Sequence, residues 1–433
     1  MLAKKSIKKV VKNRSNVKNM ISFSTVMDAC GIEPPPAETR EGKAARKRFT
    51  LSTEMAGLAF AAAVDVSVPA YLCGVLNAAR ALLSMDDSFD PEAAYPGAVA
   101  IFNADRVLKH SPLAHLGSFA EAVREGGGGG LQAAITKAGQ RRALAELFRS
   151  AGSDAEKRAI IGHAGRGGVW MSANPCLVPI PDGAVVDEVC QLLFLSVAPA
   201  GTVTESHCLR CGTLQPRTGE HAHVCHGSQA LQDRAGCHAV AFGEALKGTG
   251  VVVLKPRVNA NGKTYQPNVA TDCKGLGLVP TDQATGGEAV DAYIEFGAVS
   301  IGVDFVAISN SCVATMAGAL KKRGFTAAWA ERAKFQKYIK LFSNLADKRH
   351  RLVFAAMEVF GTLGGLYNDL LRTIANFAVP QPFGYDIDGL RARCITRLRQ
   401  HISAGVLRGN HKVLADWRAH SWSTVPPSAA LVA

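Results

Sequence analysis

Apolar side chains recur at helical spacing through the first half of the chain. Over 50–150 the apolar positions are mostly Ala and Leu, and Pro residues break the pattern into shorter pieces. The spacing continues over 131–163 and returns over 184–197, where Asp182 is placed to cap the helix. A further helix is predicted over 234–246. These segments predict a helical N-terminal half, with helices continuing toward the middle of the chain.

Shorter apolar runs in the second half predict strands. Val251–Leu254 has the length of a short buried strand, and the Gly- and Asn-rich stretch up to 289 is predicted to be an irregular insertion. The next two runs, 290–296 and 301–308, flank the four residues Gly297–Ser300 and predict a hairpin. The last strand and the helices around it are predicted over 326–342, 352–360, 366–377 and 390–407.

The predicted fold class is α+β: a helical N-terminal half, a small Cys/His module, and a mixed sheet of about four strands flanked by helices. At 433 residues the chain is long enough to bury a sizeable core and to divide into units. The predicted regions are a mobile basic arm (1–50), a helical region (51–165), a connector helix with the Cys/His loop (166–246), a strand-rich region (247–380), and a basic C-terminal helix and tail (381–433).

The chain is strongly basic. Its formal net charge is +13, whereas 48% hydrophobic and 20% charged residues are typical of a globular protein. Such an excess of cations indicates a polyanionic partner, for which nucleic acid is the first candidate. The N-terminal arm carries Lys residues over 4–18 and the cluster Arg46–Arg48. This arm could contact phosphates or act as a nuclear address; a solvated terminus is the alternative.

Cysteine usage favours a reducing compartment. The 11 Cys residues are scattered from Cys30 to Cys394 rather than arranged in a small disulfide framework. No signal-peptide pattern opens the chain, so a cytosolic or nuclear protein is expected. The longest apolar run, 57–83, contains charged residues such as Asp65 and Arg80, and no membrane-spanning segment is predicted.

The motif Cys208-Leu-Arg-Cys211 carries the clearest chemistry of the sequence. Two Cys with two residues between them form a turn whose thiolates both point inward, and His221 and Cys225 follow it. Thiolates and imidazole in this arrangement suit a structural Zn²⁺. Further candidates for the fourth ligand lie close by in the sequence: His223, His226, Cys237 and His238.

Two aspartates lie on the predicted hairpin, Asp291 on the first strand and Asp304 on the second. If the turn centres between Ala298 and Val299, Asp304 faces Tyr293 and the two acids form a diagonal pair on one face. Diagonal neighbours are about 7–8 Å apart, near enough for two carboxylates to share one hydrated divalent ion. An edge hairpin with two solvated aspartates is the alternative.

Two other patterns are interpreted as structural. Asp86-Asp87 invites comparison with the acidic pair of a polymerase palm, but Ser-Phe-Asp-Pro follows where a hydrophobic strand is needed. A helix end and a turn are therefore predicted there. Gly126–Gly130 lacks the preceding strand and the Lys of a phosphate-binding loop, so it is predicted to be a linker.

From about Val169 to Trp417, the order of these motifs resembles the C-terminal part of non-LTR retrotransposon polyproteins, downstream of the reverse-transcriptase palm. The similar segments are Trp170–Pro175, the Cys208–Cys225 loop, Asp291 with Asp304, Ala330–Tyr338, Met357–Gly365 and Arg408–Asn410. The resemblance implies a zinc knuckle followed by a restriction-like endonuclease of the PD-(D/E)xK class over 247–380. Such a domain nicks target DNA so that the free end primes reverse transcription. DNA is then the implied partner, and element RNA is a second one.

The resemblance also implies roles for single residues. Asp291 and Asp304 would be catalytic and bind Mg²⁺. Val306 stands where restriction enzymes place a lysine two residues after the second acid. The basic residue is implied to come from the following helix, as Lys334 or Lys337, and would orient and help deprotonate the attacking water.

Some positions depart from the family pattern. Val290 stands where Pro is commoner, and Asp272 in the insertion is a second candidate for the first carboxylate. Nothing over 1–165 matches a polymerase palm, so no polymerase activity is expected of this chain. The alternative function is a non-catalytic, zinc-stabilised nucleic-acid-binding remnant of a retroelement, and Val306 counts in its favour.

Overall fold

The computed structural model describes most of the chain. The described residues are 22–52, 58, 63–108, 110–125, 130–164, 170–171, 178–198, 206–225, 230–254, 257–258, 264–265, 291–296, 299–341, 352–379 and 386–420. Asp272 and His226 lie outside these ranges, as do most of the predicted insertion and the Lys-rich start of the chain.

The described N-terminal part is helical, as its apolar spacing predicts. Its helices are α1 (Phe23–Cys30), α2 (Arg40–Thr50), α3 (Ala63–Met85), α4 (Pro91–Ala94), α5 (Pro96–Arg106), α6 (Phe119–Glu125), α7 (Leu131–Ser150) and α8 (Asp154–His163). Pro91 and Pro96 each begin a helix, because the fixed φ of proline suits the first helical turn. Asp86 and Asp87 follow the end of α3 in a turn, as predicted.

Helices α3, α5, α6 and α7 share one apolar core. Leu76 of α3 packs with Phe102 of α5 and Phe119 of α6, and the two rings meet edge to face with centroids 5.9 Å apart. Arg80 donates from Nε to the carbonyl oxygen of Val123 at 2.9 Å. This contact gives the guanidinium a partner inside the helical unit.

One described helical segment, Ser67–Met85, is long and apolar enough to cross a membrane by length and composition. In the structure 28% of this segment is buried. The core helix of a soluble protein meets the same criteria, so a single segment of this kind carries little weight.

The prediction of a mobile basic arm over 1–50 is wrong for 22–50. Phe49 of α2 is buried in a core that α1 shares. Arg48, expected in solvent or on phosphate, is 1% exposed and donates from Nη1 to the carbonyl oxygen of Leu192 at 3.0 Å. The reason is that apolar residues between the cations give both helices a buried face.

The middle of the chain contains the connector helix and the Cys/His module. Its elements are α9 (Asp182–Leu193), β1 (Ser206–His207), β2 (Leu214–Gln215), a 3₁₀ helix (Glu220–His223) and α10 (Ala230–Leu246). The prediction that Asp182 caps the connector helix is wrong, because Pro181 is the N-cap and Asp182 is already helical. The helix also ends before the predicted 197, at a left-handed Phe194 with φ of 61°.

The strand-rich part of the chain forms a four-stranded mixed sheet. Its elements are β3 (Val252–Leu254), β4 (Arg257–Val258), β5 (Thr264–Tyr265), β6 (Ala292–Phe296), β7 (Val299–Ile308), α11 (Met316–Ala319), α12 (Phe325–Leu341), β8 (Leu352–Glu358), α13 (Gly365–Ala378) and α14 (Ile387–His420). The order in the sheet is β3-β6-β7-β8, antiparallel except between β7 and β8. The described architecture is therefore α+β.

Helices cover both faces of this sheet. Phe305 of β7 packs on one side with residues of α10, α13 and α14. Val306 faces the other side, where Ala327 of α12 lies. Side chains alternate along a strand, so Asp304 lies on the side of α12.

The C-terminal helix is longer and more buried than the predicted 390–407. α14 continues to His420, and Leu414 and Trp417 are buried. It packs closely against α10: a Cβ at Gly405 would lie only 2.3 Å from the Cβ of Ala241. The basic C-terminal helix predicted within 381–433 is present, but it is a central packing element because its apolar stripe continues past 407.

Candidate functional site

The four predicted cysteine and histidine ligands come together. The Sγ atoms of Cys208, Cys211 and Cys225 and a ring nitrogen of His221 all lie within 4.8 Å of one another. The Sγ–Sγ separations from Cys225 are 3.7 Å to Cys208 and 4.0 Å to Cys211, and Cys211 Sγ lies 3.2 Å from His221 Nε2. A tetrahedral shell with Zn–S bonds of about 2.3 Å has S–S edges of roughly 3.8 Å. The cluster could therefore hold a metal ion such as zinc.

Backbone hydrogen bonds shape the turn that presents the first two thiols. Gly212 donates its N–H to the carbonyl oxygen of Cys208 at 2.8 Å, and β1 and β2 pair on either side of the turn. Within the turn, Arg210 forms two charge-assisted hydrogen bonds with Asp416 of α14, at 2.7 and 3.1 Å. The Cys/His module is thereby docked on the C-terminal helix.

The ionisation of the cluster favours metal binding. Burial lowers the pKa of His221, which favours the neutral imidazole that binds metals. Burial acts to raise the pKa of the Cys211 thiol, but hydrogen bonds from Thr213 and the neighbouring thiols outweigh it and lower that pKa. A larger thiolate fraction follows, and the thiolate is the metal-binding form.

Two of the alternative ligands have other partners. His223 is buried, and its Nε2 accepts a hydrogen bond from Gln191 Nε2 at 2.8 Å. His238 is buried on α10 with its Nε2 2.8 Å from the hydroxyl of Tyr367. Among the described residues, Cys225 is therefore the fourth member of the cluster.

The acidic hairpin forms, but its register differs from the predicted one. Tyr293 pairs with Gly302 rather than with Asp304, because two residues connect β6 to β7 where four were predicted. Asp291 donates its N–H to the carbonyl oxygen of Val303 at 3.0 Å. Asp291 directly precedes the paired residues of β6, and its carboxyl group is hydrogen-bonded to that of Asp304. The two carboxyl groups are therefore closer than in the predicted diagonal arrangement, whose neighbours are about 7–8 Å apart.

The two aspartates meet a lysine from α12. Asp304 is 4% exposed, and Lys334 Nζ donates to its two carboxylate oxygens at 2.9 and 3.3 Å. Asp291 Oδ2 accepts a hydrogen bond from the N–H of Phe305 at 2.7 Å. Lys337 lies three residues further along α12 and is exposed. The structure therefore brings Asp291, Asp304 and Lys334 together.

The environment of Asp291 makes its charge costly. Burial raises its pKa to about 6, and the nearby charge of Asp304 acts in the same direction. The N–H of Phe305 and the ammonium of Lys334 act in the opposite direction. A shifted carboxyl beside a second carboxylate and a lysine is typical of functional sites. The same group would become fully ionised beside a divalent cation.

Two buried glutamates hold α12 in place. Glu358, at the end of β8, accepts a hydrogen bond from the N–H of Thr326 at 3.1 Å, in the first turn of α12. Glu331, within α12, accepts from the N–H of Tyr367 at 3.2 Å, in the first turn of α13. A Cβ at Gly364 would lie 2.1 Å from Glu331 Oε1, so glycine makes this approach possible. Each carboxylate lies at a helix N-terminus, where the helix dipole stabilises it.

The sequence gives only a weak signal for these glutamates. The N-cap of α13, Gly364, offers no side-chain hydrogen bond, so the first amides of that helix need an acceptor from elsewhere. The acceptor is Glu331, which the spacing of residues within α12 cannot reveal. Burial raises the pKa of Glu358 to about 7 and also raises that of Glu331.

One buried arginine connects the Cys/His module with the sheet. Arg234 of α10 is 4% exposed, and its Nη1 lies 3.4 Å from Nδ1 of His223. Its Nη2 donates to the carbonyl oxygen of Ala307 at 3.0 Å. Ala307 lies on β7, three residues beyond Asp304. Arg234 therefore links the 3₁₀ helix that carries His221 to the strand that carries Asp304.

Comparison of this chain with protein-family models finds no match, and comparison with curated proteins finds none either.

Proposed function

We propose that this protein is a metal-dependent endonuclease that nicks DNA, with a restriction-like core. The convergence of Asp291, Asp304 and Lys334 between the hairpin and α12 is the observation that carries the proposal. Two acids and a lysine are the residue set of the PD-(D/E)xK class that the motif order resembles. A mixed sheet with helices on both faces is compatible with that core.

Each of the three residues has a proposed role. Asp291 and Asp304 would hold Mg²⁺, which binds to proteins through one or two carboxylates and keeps several waters. When bound, this ion would polarise the scissile phosphate and neutralise developing charge. The contact with Asp304 keeps the Lys334 ammonium beside the site, where it would orient the attacking water and electrostatically stabilise the hydroxide that forms when this water loses a proton to solvent. Lys334 is preferred over Lys337 because it already contacts the acidic pair.

A structural zinc is proposed for Cys208, Cys211, His221 and Cys225. Four protein ligands fill a tetrahedral shell and leave no open position for substrate, which is the pattern of structural sites. The bound ion would fix the turn that carries Arg210, and so the docking of the module on α14. Metal analysis of the purified protein tests this assignment, with one zinc per chain as the expected result.

A retroelement origin is proposed from the order of the Cys/His module, the acidic hairpin and the lysine helix. DNA is the proposed principal partner and element RNA the second, and the net charge of +13 supports both. The nucleus or cytoplasm is the proposed location, because these compartments keep the thiols reduced. No polymerase activity is proposed for this chain.

The deciding experiment is nicking of supercoiled plasmid by the purified protein with added Mg²⁺. The wild-type protein is expected to nick, and Asp291→Ala and Asp304→Ala proteins are expected not to. Asp388→Ala, which removes an exposed acid at the start of α14, is the matched control and should retain activity. Equal activity of all four proteins would exclude the acidic pair from the mechanism.

A second candidate is a zinc-stabilised nucleic-acid-binding protein without catalysis. Val306, two residues after Asp304, favours it, because this half-buried side chain packs toward α12 and supplies no second cation. DNA binding that weakens steeply with salt, together with no cleavage in Mg²⁺ or Mn²⁺, would select this candidate.

A further inference from the structure

A cavity of about 940 Å³ lies where α7, α13 and α14 meet the loop 361–365. Its volume is within the range of ligand pockets in proteins. Among the described residues that line it, none belongs to the Cys/His cluster or to the acidic pair. The cavity is therefore separate from both candidate sites.

Cationic side chains dominate the lining of this cavity. They come from separate parts of the fold: Lys137 and Arg141 of α7, Arg323 just before α12, Arg372 of α13 and Arg399 of α14. Among the lining residues that the structure describes, Asp369 is the one carboxylate. Like charges on a concave protein surface reinforce one another and attract anions. The positive electrostatic potential of the cavity therefore favours the binding of a polyanion.

Only part of this charge is neutralised within the protein. Arg372 pairs with Asp369 at 2.8 Å, but both side chains are mostly exposed, and pairs of this kind are weak. Arg399 donates to the amide oxygen of Asn368 at 2.7 Å. In the described part of the chain, no ion pair involves Arg141 or Arg323, although Arg323 acts on the buried Glu358 at longer range.

The backbone at the rim of the cavity is already hydrogen-bonded. Glu331 accepts from the first amides of α13. The N–H groups of Gly361 and Gly364 donate to the carbonyl oxygens of Glu358 and Ala356 at 2.8 and 2.9 Å. An anion in the cavity would consequently be bound by the cationic side chains rather than by the glycine loop.

The cavity lies close to the acidic pair along the sheet. Met357 lines it and pairs with Ala307 of β7, three residues beyond Asp304. Met357 belongs to the face of the sheet that α13 and α14 cover, whereas Asp304 belongs to the face of α12. Arg323 and Gly324 of the lining directly precede α12, the helix that carries Lys334, so DNA held at the acidic pair would reach the cavity around the end of the strands.

We propose that this cavity binds backbone phosphates of the same DNA that the acidic pair engages, away from the bond that is cut. The inference rests on the proposed nuclease function, which it extends by a second contact that sets the position of the strand. A free polyphosphate offers the same chemistry, and the experiment separates the two sources.

The test compares two variants of equal net charge by fluorescence anisotropy with single-stranded DNA, without added Mg²⁺. Arg141→Gln/Arg323→Gln removes two cations from the cavity, and Arg393→Gln/Lys412→Gln removes two exposed cations of α14 outside it. The cavity variant is expected to bind more weakly, with a salt slope smaller by about 1.4, which corresponds to two lost phosphate contacts. The control variant should keep the wild-type slope. Equal losses in both variants would overturn the proposal, because net charge alone would explain them.

Two further arms complete the experiment. Arg141→Lys/Arg323→Lys keeps both charges and should keep the wild-type salt slope; a loss equal to that of the Gln variant would point to damage to the fold and overturn the assignment. Binding of inorganic tripolyphosphate is measured with the same proteins. If tripolyphosphate binds the wild-type protein but not the Gln variant, and both proteins bind DNA equally, the cavity is a site for a free polyphosphate instead. Binding is measured on an Asp304→Ala background as well, where nicking is not expected and cavity-dependent binding should persist. Failure of the wild-type protein to nick, with cavity-dependent binding intact, would reject the nuclease and leave the phosphate site standing.

Discussion

The Cys/His cluster and the acidic pair are two compact polar sites with opposite relations to the stability of the fold. The cluster draws its four members from 208–225, and a metal bound there would stabilise the fold. The pair combines Asp291, Asp304 and Lys334 from three elements, and burial opposes the charge of Asp291. With the metals bound as proposed, one site would stabilise the fold, and the other would destabilise it until its ligand binds.

Removal of the cluster's metal should produce the largest effect. Structural zinc contributes on the order of 10 kcal/mol to folding, so Cys208→Ser should abolish the cooperative thermal transition of the native protein. Chelation of the wild-type protein should do the same, whereas Cys312→Ser, outside the cluster, should change little. An unchanged thermal transition after verified loss of zinc would contradict the stabilising role.

Substitution of Lys334 should strongly reduce activity. Proton transfer and orientation by a positioned side chain contribute about 10²–10⁴-fold, so Lys334→Ala should lower the nicking rate at least about 100-fold. Lys337→Ala removes the same group one helical turn away and should leave most activity. The reverse order of the two rates would assign the role to Lys337.

Replacement of Asp291 by Asn should stabilise the protein in the absence of Mg²⁺. Because the pKa of Asp291 is raised to about 6, its contribution to stability is complete below its usual pKa of 3.8 and is lost as pH rises through about 6. Asp291→Asn should therefore raise the free energy of unfolding by on the order of 1–3 kcal/mol at pH 8, and by much less at pH 4.

Urea unfolding of the zinc-loaded protein at both pH values measures this difference. Asp388→Asn, an exposed acid, should change neither value. If the Asp291→Asn protein were less stable than wild type at pH 8, the acidic pair would stabilise the fold as the cluster does. The two sites would then not differ in their effect on stability.

Loss of the contact between the Cys/His module and α14 should have the smallest effect on the free energy of unfolding. Arg210→Gln breaks a half-buried, two-bond ion pair with Asp416 and should cost about 1 kcal/mol. Lys157→Gln breaks the pair with the exposed Asp154 and should cost less. Equal values would indicate that docking on α14 does not depend on Arg210.

The two sites also differ in how well the sequence predicts them. The sequence predicts the four members of the cluster but leaves other candidates open for the fourth ligand. The first two are predicted best, because Cys208 and Cys211 share one turn and short-range geometry fixes their thiols. The strands of the acidic hairpin were predicted, but the register was not, because nothing in the alternation of apolar residues specifies a two-residue connection. The contact between Lys334 and Asp304 follows from the packing of α12 on β7, which a local pattern does not contain.

The sequence also does not show which cationic side chains are buried and which of them lie close together in the fold. Arg48 belongs to a charged cluster in the sequence, yet it is buried because Phe49 and its neighbours form an apolar face. The cations of the cavity are far apart along the chain, at Arg141, Arg323 and Arg399 among others, and only the fold assembles them. Net charge therefore indicates a polyanionic partner without locating its site.

The reciprocal anchoring by Glu358 and Glu331 has a consequence for the timing of catalysis. One carboxylate fixes where α12 begins, and the other, three residues before Lys334, fixes its rotation about its own axis. The Lys334 ammonium is therefore held against Asp304 by the fold itself. In the proposed nuclease, encounter with DNA would require no rearrangement of this helix. In such an enzyme, the slow step would be the correct positioning of the DNA strand rather than a conformational change of the active site.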